Sequence, residues 1–211
     1  FRRVLFRSER EQLACDRLRL QPVLRVNAAL AAVAEEDARA ILALAAIPAH
    51  RRPAMVWVSN DEGATYRAEV EALAAAHQVA FSIRSRTSDA ELVHLLSSAI
   101  ALLYTPRLEP FGLAPLEANA CGTPVVAIAE GGVRESLIDG DNGLLVPDAR
   151  PQTIAAALLR LLDEPELARQ LRSRCRNAVV ARYSEAAAID RIERALADAI
   201  RAPRATSNAR T

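Results

Sequence analysis

Between Ala54 and Val146, short apolar runs alternate with longer amphipathic stretches, and this alternation restricts the fold more than any other feature of the chain. Ala54-Met55-Val56-Trp57-Val58, Val79-Ala80-Phe81-Ser82-Ile83, Ile100-Ala101-Leu102-Leu103-Tyr104, Pro124-Val125-Val126-Ala127-Ile128 and Gly143-Leu144-Leu145-Val146 each have the length of a buried strand. The segments between them are of helical length: one from about Thr65 to Ala76, a short one capped by Asp89 and running through Leu96, and one ending near Cys121-Gly122. Strands spaced by helices imply βαβ units, and these build parallel sheets. The expected fold class is therefore α/β: a Rossmann-like, doubly wound parallel sheet with helices on both faces.

Beyond Pro151 the pattern becomes helical. Thr153–Leu162 and Pro165–Arg182 carry Leu and Ala on one face, and Ser184 can cap a last helix to about Ile200. Upstream, Pro22-Val23-Leu24-Arg25-Val26 is the candidate first strand and Ala28–Ile47 favours helix. Val4-Leu5-Phe6-Arg7-Ser8 resembles an in-frame translation of a sequencing adapter, so residues 1–8 are expected to be non-native. The expected organisation is then 1–8 as an artefactual start, 9–50 as a first strand and helix region without firm placement, and 51–183 as the ligand-binding domain. Residues 184–202 form a C-terminal helix and 203–211 a polar tail.

Composition excludes several functions. The 211 residues are 51% hydrophobic and 25% charged, enough for a sizeable core and incompatible with disorder over most of the length. A formal charge of +1 with interspersed acids gives no basic face for nucleic acid. No apolar run approaches the ~20 residues that span a bilayer, and the cytoplasm is the expected location. Cys15, Cys121 and Cys175 lack ligand spacing and read as reduced structural thiols, while His50, His77 and His94 are too scattered for a metal site or a triad. All 27 basic residues are Arg.

The chemistry-bearing segment follows the Tyr104 strand. Ligands of doubly wound sheets collect at the carboxyl ends of the strands, near the switch in strand order. Gly112 has no side chain to shield the backbone, so a phosphate can approach the N–H groups of Leu113 and Ala114 at a helix N-terminus. Pro115 is tolerated in that first turn. Glu109 and Glu117 put two carboxylates at different levels of one cleft, each able to accept hydrogen bonds from vicinal hydroxyls. On spacing alone, a solvated loop acid and a helix-surface acid are the simpler reading. Trp57 reads as core, Tyr183 as packing near the last helix cap, and Gly131-Gly132 as a glycine turn opening a short helix.

Glu109-Pro110-Phe111-Gly112-Leu113-Ala114-Pro115-Leu116-Glu117, followed by Ala118-Asn119-Ala120-Cys121-Gly122-Thr123-Pro124-Val125-Val126-Ala127, closely resembles the Glu-x7-Glu block of the large retaining glycosyltransferase family four, the glycosyl transferases group 1. The resemblance continues through Glu130-Gly131-Gly132-Val133-Arg134-Glu135, Asp139-Gly140 and Asn142–Pro147, and covers roughly Ala54 to Val180. It implies the C-terminal, donor-binding half of a GT-B fold. The Gly131-Gly132 turn would either face the cleft, as the resemblance implies, or be purely structural. Glu117 would hold the ribose hydroxyls, and Glu109 would sit beside the donor sugar as the catalytic carboxylate. Phe111, Gly112 and Leu113 would offer backbone N–H groups to sugar and diphosphate. The loop near Arg84 would approach the base, with Ser82-Ile83-Arg84 replacing the family's glycine.

The implied reaction transfers a hexose from a nucleoside-diphosphate sugar, with retention, to a glycan, glycolipid or other acceptor. The look of the block is mannosyltransferase-like, and a GDP- or UDP-linked hexose is the expected donor. No cofactor or metal is expected, because a helix N-terminus and fixed cations can stabilise a leaving diphosphate. The missing N-terminal domain would bind the acceptor and could touch the cytoplasmic face of a membrane; alone, the fragment would be inactive. The family normally supplies an Arg and a Lys from a loop here between Val26 and Glu36. This chain has no Lys, and Arg25 and Arg39 are either substitutes or ordinary surface residues. The alternatives are a noncatalytic nucleotide-sugar-binding or scaffold domain and another GT-B enzyme such as a nucleotide-sugar epimerase.

Overall fold

The computed structural model describes residues 23–27, 33–59, 63–108 and 110–201. The adapter-like start and the polar tail lie outside them. Six strands, β1 (Val23–Asn27), β2 (Ala54–Ser59), β3 (Phe81–Ser85), β4 (Ala101–Tyr104), β5 (Val125–Ile128) and β6 (Gly143–Val146), form one sheet in the order β3-β2-β1-β4-β5-β6. Every pairing is parallel. The order reverses between β1 and β4, which makes the carboxyl ends of these two strands the topological switch point. The helices are α1 (Val33–Ala45), α2 (Ala64–Ala76), α3 (Asp89–Ser98), α4 (Leu113–Ala120), the single turn α5 (Val133–Ser136), α6 (Pro151–Asp163), α7 (Pro165–Tyr183) and α8 (Glu185–Arg201).

Successive side chains of a strand point to opposite faces, and the chain uses this to build two cores. On one face Ala101, Leu103, Val126, Ile128, Leu144 and Val146 pack with Ile41 and Leu44 of α1, Val70 of α2 and Ile154 and Leu158 of α6. On the other, Leu102, Tyr104, Val125 and Ala127 pack with Leu96 of α3 and Ala114 and Ala118 of α4. Because both faces are covered, β4 and β5 are apolar at every position, as buried parallel strands must be. Trp57 is 2% exposed and meets Tyr66 and Phe81 edge-on, so it is core.

Arginines finish the helices. The Arg52 guanidinium donates to the carbonyls of Ala45 (2.8 Å) and Ile47 (3.0 Å) after α1 and of His77 (2.8 Å) and Gln78 (2.9 Å) after α2. Arg172 of α7 donates to Ser97 and Ala99 (both 2.8 Å) at the end of α3, and Arg176 to Ala120 (3.2 Å) at the end of α4. Each places a cation on the negative end of a helix dipole and satisfies carbonyls the helix leaves open.

Two of the boundaries that differ from the sequence expectation have a local cause. The third strand begins at Phe81, because Val79 N–H bonds Ala74 (2.9 Å) and Gln78 turns with φ 55°, spending Val79 and Ala80 on leaving α2. The helix expected to be capped by Asp89 is capped by Ser88, whose hydroxyl accepts from the Glu91 N–H at 3.2 Å, and Asp89 becomes its first residue. Ser184 caps α8 as expected, accepting from the Ala187 N–H at 3.2 Å.

Candidate functional site

The loop that leaves β4 at the switch point ends in a left-handed turn at Gly112 (φ 77°, ψ 80°), the residue that caps α4. A side chain there would be strained by its backbone and would also meet the Tyr104 ring and hydroxyl at 3.4 Å. The first four N–H groups of a helix have no partner within it. In α4 these belong to Gly112, Leu113 and Ala114, the fourth position being Pro115, which has no N–H; Gly112 brings no side chain to cap them. Three donors and the positive end of the helix thus converge at one point.

In α4 Ala114, Pro115, Leu116, Ala118, Asn119 and Ala120 are buried, whereas Leu113 is 54% exposed and Glu117 is half-buried. Leu113 and Glu117 are four residues apart and so share a face. Phe111, Gly112, Leu113 and Glu117 are therefore brought together along one loop-helix junction. Glu109 lies outside the described residues. Arg84 is exposed at the carboxyl end of β3, on the same rim but three strand intervals from β4, about 14 Å at the ~4.8 Å strand spacing. Arg25 lies within β1, opposite Val56, and Arg39 lies in α1.

Two features the sequence singled out, Gly131-Gly132 and Tyr183, and one it missed, the Arg107–Glu130 pair, hold this junction in place. A Cβ on Gly132 would lie 2.0 Å from the Pro110 carbonyl oxygen and 2.7 Å from Phe111 Cα, so the glycine turn after β5 packs directly on the loop after β4. The Gly131-Gly132 pair thus serves a close approach between two switch-point loops. Arg107 bridges the same loops with a two-pronged pair to Glu130, Nε to Oε2 at 3.0 Å and Nη2 to Oε1 at 2.9 Å. That hydrogen-bonded guanidinium, reinforced by the charges of Arg134 and Arg39, holds the Glu130 carboxyl below the usual carboxylate range. Tyr183, at the end of α7, meets Phe111 edge-on (centroids 6.0 Å) and donates its hydroxyl to Glu135 O at 2.9 Å, so it buttresses both loops from behind. The available signal was opposite charge on the loops that follow adjacent strands, but it becomes visible only once the strand order is known.

Beneath α4 a buried amide pair fixes its position. Asn142 donates to Asn119 Oδ1 (2.8 Å) and Ser136 O (3.0 Å) and accepts from the Ile138 N–H (2.7 Å). Asn119 donates to Thr123 O (3.0 Å) and Asn142 O (2.9 Å). Cys121 and Cys175 are buried and take part in no disulfide, as expected of structural thiols. Among the described residues no group of three or more His, Cys, Asp or Glu side chains is arranged to hold a metal ion, and no helix is long and apolar enough to cross a membrane.

The family model described as "Glycosyl transferases group 1" matches residues 38–178. A D-inositol 3-phosphate glycosyltransferase of Frankia alni is 49% identical over 75 residues, 36% of this chain and 18% of that protein. Among solved structures, sucrose-phosphate synthase from Thermosynechococcus elongatus superposes with a TM-score of 0.71 at 28% identity, covering 90% of this chain and 48% of that one. Anabaena HepE in complex with UDP-glucose superposes with a TM-score of 0.72 at 21% identity, over 90% of this chain and 51% of that one, and shares the fold. The chain thus spans about half the length of the solved proteins it matches.

Proposed function

This chain belongs to the glycosyl transferases group 1 family, and on that premise we propose that it is the donor-binding half of a retaining glycosyltransferase. It takes a nucleoside-diphosphate hexose as donor and passes the hexose to a glycan, glycolipid or other acceptor held by an N-terminal domain. The observation that carries the reading is the Gly112 turn at the β1/β4 switch, which presents three backbone N–H groups one helical turn from the Glu117 carboxylate. A diphosphate at the turn would leave the ribose within reach of Glu117, which can accept from both ribose hydroxyls. HepE, solved with UDP-glucose, lends support at the level of shared fold.

In the reaction the bond between the sugar C1 and the diphosphate oxygen breaks, and the acceptor oxygen bonds C1 on the face the diphosphate leaves, its proton passing to the departing diphosphate. Negative charge grows on the departing diphosphate, and the α4 N-terminus, fixed before the reaction begins, stabilises it without reorganisation. Glu109 stands beside the sugar and Arg84 toward the base in this reading, and fixed positive charge takes the place of a metal ion. The protein works in the cytoplasm, with any membrane contact made through the acceptor domain.

Thermal-shift measurements with UDP, GDP and their hexose conjugates test the donor reading. One of these series raises the melting temperature of the chain, and Glu117→Ala removes most of the shift, the loss of hydrogen bonds to a charged group being about 1.5–3 kcal/mol. Absence of a shift with every nucleotide, or an unaltered shift in Glu117→Ala, refutes it. The full-length protein should turn donor over only with acceptor present, with the anomeric configuration retained by NMR and no loss of rate in EDTA.

A further inference from the structure

We infer that Arg107 is a diphosphate-binding residue held ready by Glu130, whose carboxylate occupies the guanidinium fork until phosphate oxygens displace it. The inference rests on the donor-binding reading and adds a residue and an exchange of partners to it.

The two residues leave adjacent strands at the switch-point edge, Arg107 three residues after the end of β4 and Glu130 two after the end of β5. Their loops are in van der Waals contact: Gly132, two residues beyond Glu130, lies against Pro110 and Phe111, and Gly112 follows. Two Cα steps of about 3.8 Å each separate Glu130 from that contact, so the pair belongs to the same loop cluster as the start of α4. The two parallel bonds at 3.0 and 2.9 Å form a fork, and the same planar fork can donate to two oxygens of a phosphate. A carboxylate is the nearest protein equivalent of that ligand.

Arg107 is one of several cations that act on Glu130: three guanidinium groups, those of Arg107, Arg134 and Arg39, act on its one carboxylate. The pair is open to solvent, with side-chain exposures of 52% for Arg107 and 22% for Glu130, so it is an accessible ion pair that can separate. A diphosphate carries more charge than a carboxylate and reaches the α4 N–H groups at the same time. Every Lys-or-Arg position in this chain is arginine, so a strongly basic side chain supplied by this half is a guanidinium.

Calorimetric titration of the chain with UDP, GDP, uridine and guanosine separates the phosphate contribution from that of the nucleoside. In the wild type a nucleoside diphosphate binds more tightly than its nucleoside. Arg107→Gln weakens diphosphate binding tenfold or more and leaves nucleoside binding unchanged, and Glu130→Gln, which removes the competing charge, tightens diphosphate binding three- to tenfold. If Arg107→Gln alters neither ligand, or alters both alike, or if Glu130→Gln weakens binding as much as Arg107→Gln does, the pair is only a tie between loops and the inference is overturned. Far-UV circular dichroism melts of both variants distinguish a lost contact from a lost fold. Failure of wild type to bind either diphosphate instead overturns the donor reading itself.

Discussion

A methyl group on Gly132 would lie 2.0 Å from the Pro110 carbonyl oxygen and 2.6 Å from its carbon, closer than backbone atoms can be approached. Gly63, at the cap of α2, has nothing within 4 Å of the same position. Gly132→Ala should therefore push the loop after β4 outward, cost about 1–3 kcal/mol as overpacking does, and misplace Phe111 and the Gly112 turn. Gly63→Ala should be nearly silent. Chemical denaturation and nucleotide-induced thermal shifts of the two variants check this; equal behaviour would mean the loops are not in contact. Cys175 is a second residue with a definite signature. Burial pushes its thiol from the ordinary 9.0 up to about 12. Between those values the folded chain keeps the proton and the unfolded chain releases it, so stability should fall as pH rises through that window. Melting temperatures measured from pH 8 to 11 should decline less steeply in Cys175→Ala; parallel slopes would show that the thiol is not held neutral.

The elements were the most legible part of the sequence, because a sheet buried on both faces demands uninterrupted apolar strands and the helices between them have helical length. Leu102 and Leu103 are adjacent and equally apolar, yet they serve opposite cores, a division that follows from strand parity once the segment is known to be a strand. Ser88 and Asp89 are both good caps, so only the structure decides between them. The start of α4 could be read because a bare Gly112 backbone and a proline in the first turn are local features; the positive φ of Gly112 is added by the structure. The Arg107–Glu130 bridge spans 23 residues and the Tyr183–Glu135 bond 48, and no local rule brings such partners together. The same holds for Asn119 and Asn142, 23 residues apart, which bind α4 to the loop before β6. Asn142→Leu leaves Asn119 Oδ1, Ser136 O and the Ile138 N–H short of a partner, at about 1–3 kcal/mol for each buried group stranded. Because the two amides satisfy each other, Asn119→Leu combined with Asn142→Leu should cost less than the sum of the single changes in a denaturant double-mutant cycle. Strict additivity would dissolve the pair into two independent contacts.

Across the whole molecule cohesion is uneven. The sheet and the helices α1 to α7 all contribute buried residues, whereas α8 contributes none. Its Ile189, Ile192, Leu196 and Ile200 recur at helical spacing on one stripe and are 47%, 60%, 59% and 83% exposed. What fixes its start is the Ser184 cap and the Arg191 guanidinium, 5.8 Å from the Tyr183 ring centroid. A helix of 17 residues with so little tertiary burial is marginal in water, and segments with few buried contacts open without the rest of the fold. Amide hydrogen exchange should therefore show α8 losing protection orders of magnitude faster than β4 and β5, and trypsin should cut first after Arg191 or Arg194 while the sheet survives. Nucleotide binding should persist after that cut, because Phe111 rests on Tyr183 of α7 and the Gly112 turn is held from below by Tyr104 and from the side by Gly132. If α8 amides exchange as slowly as those of β4, or if the cut abolishes nucleotide binding, α8 is part of the cooperative unit that forms the site.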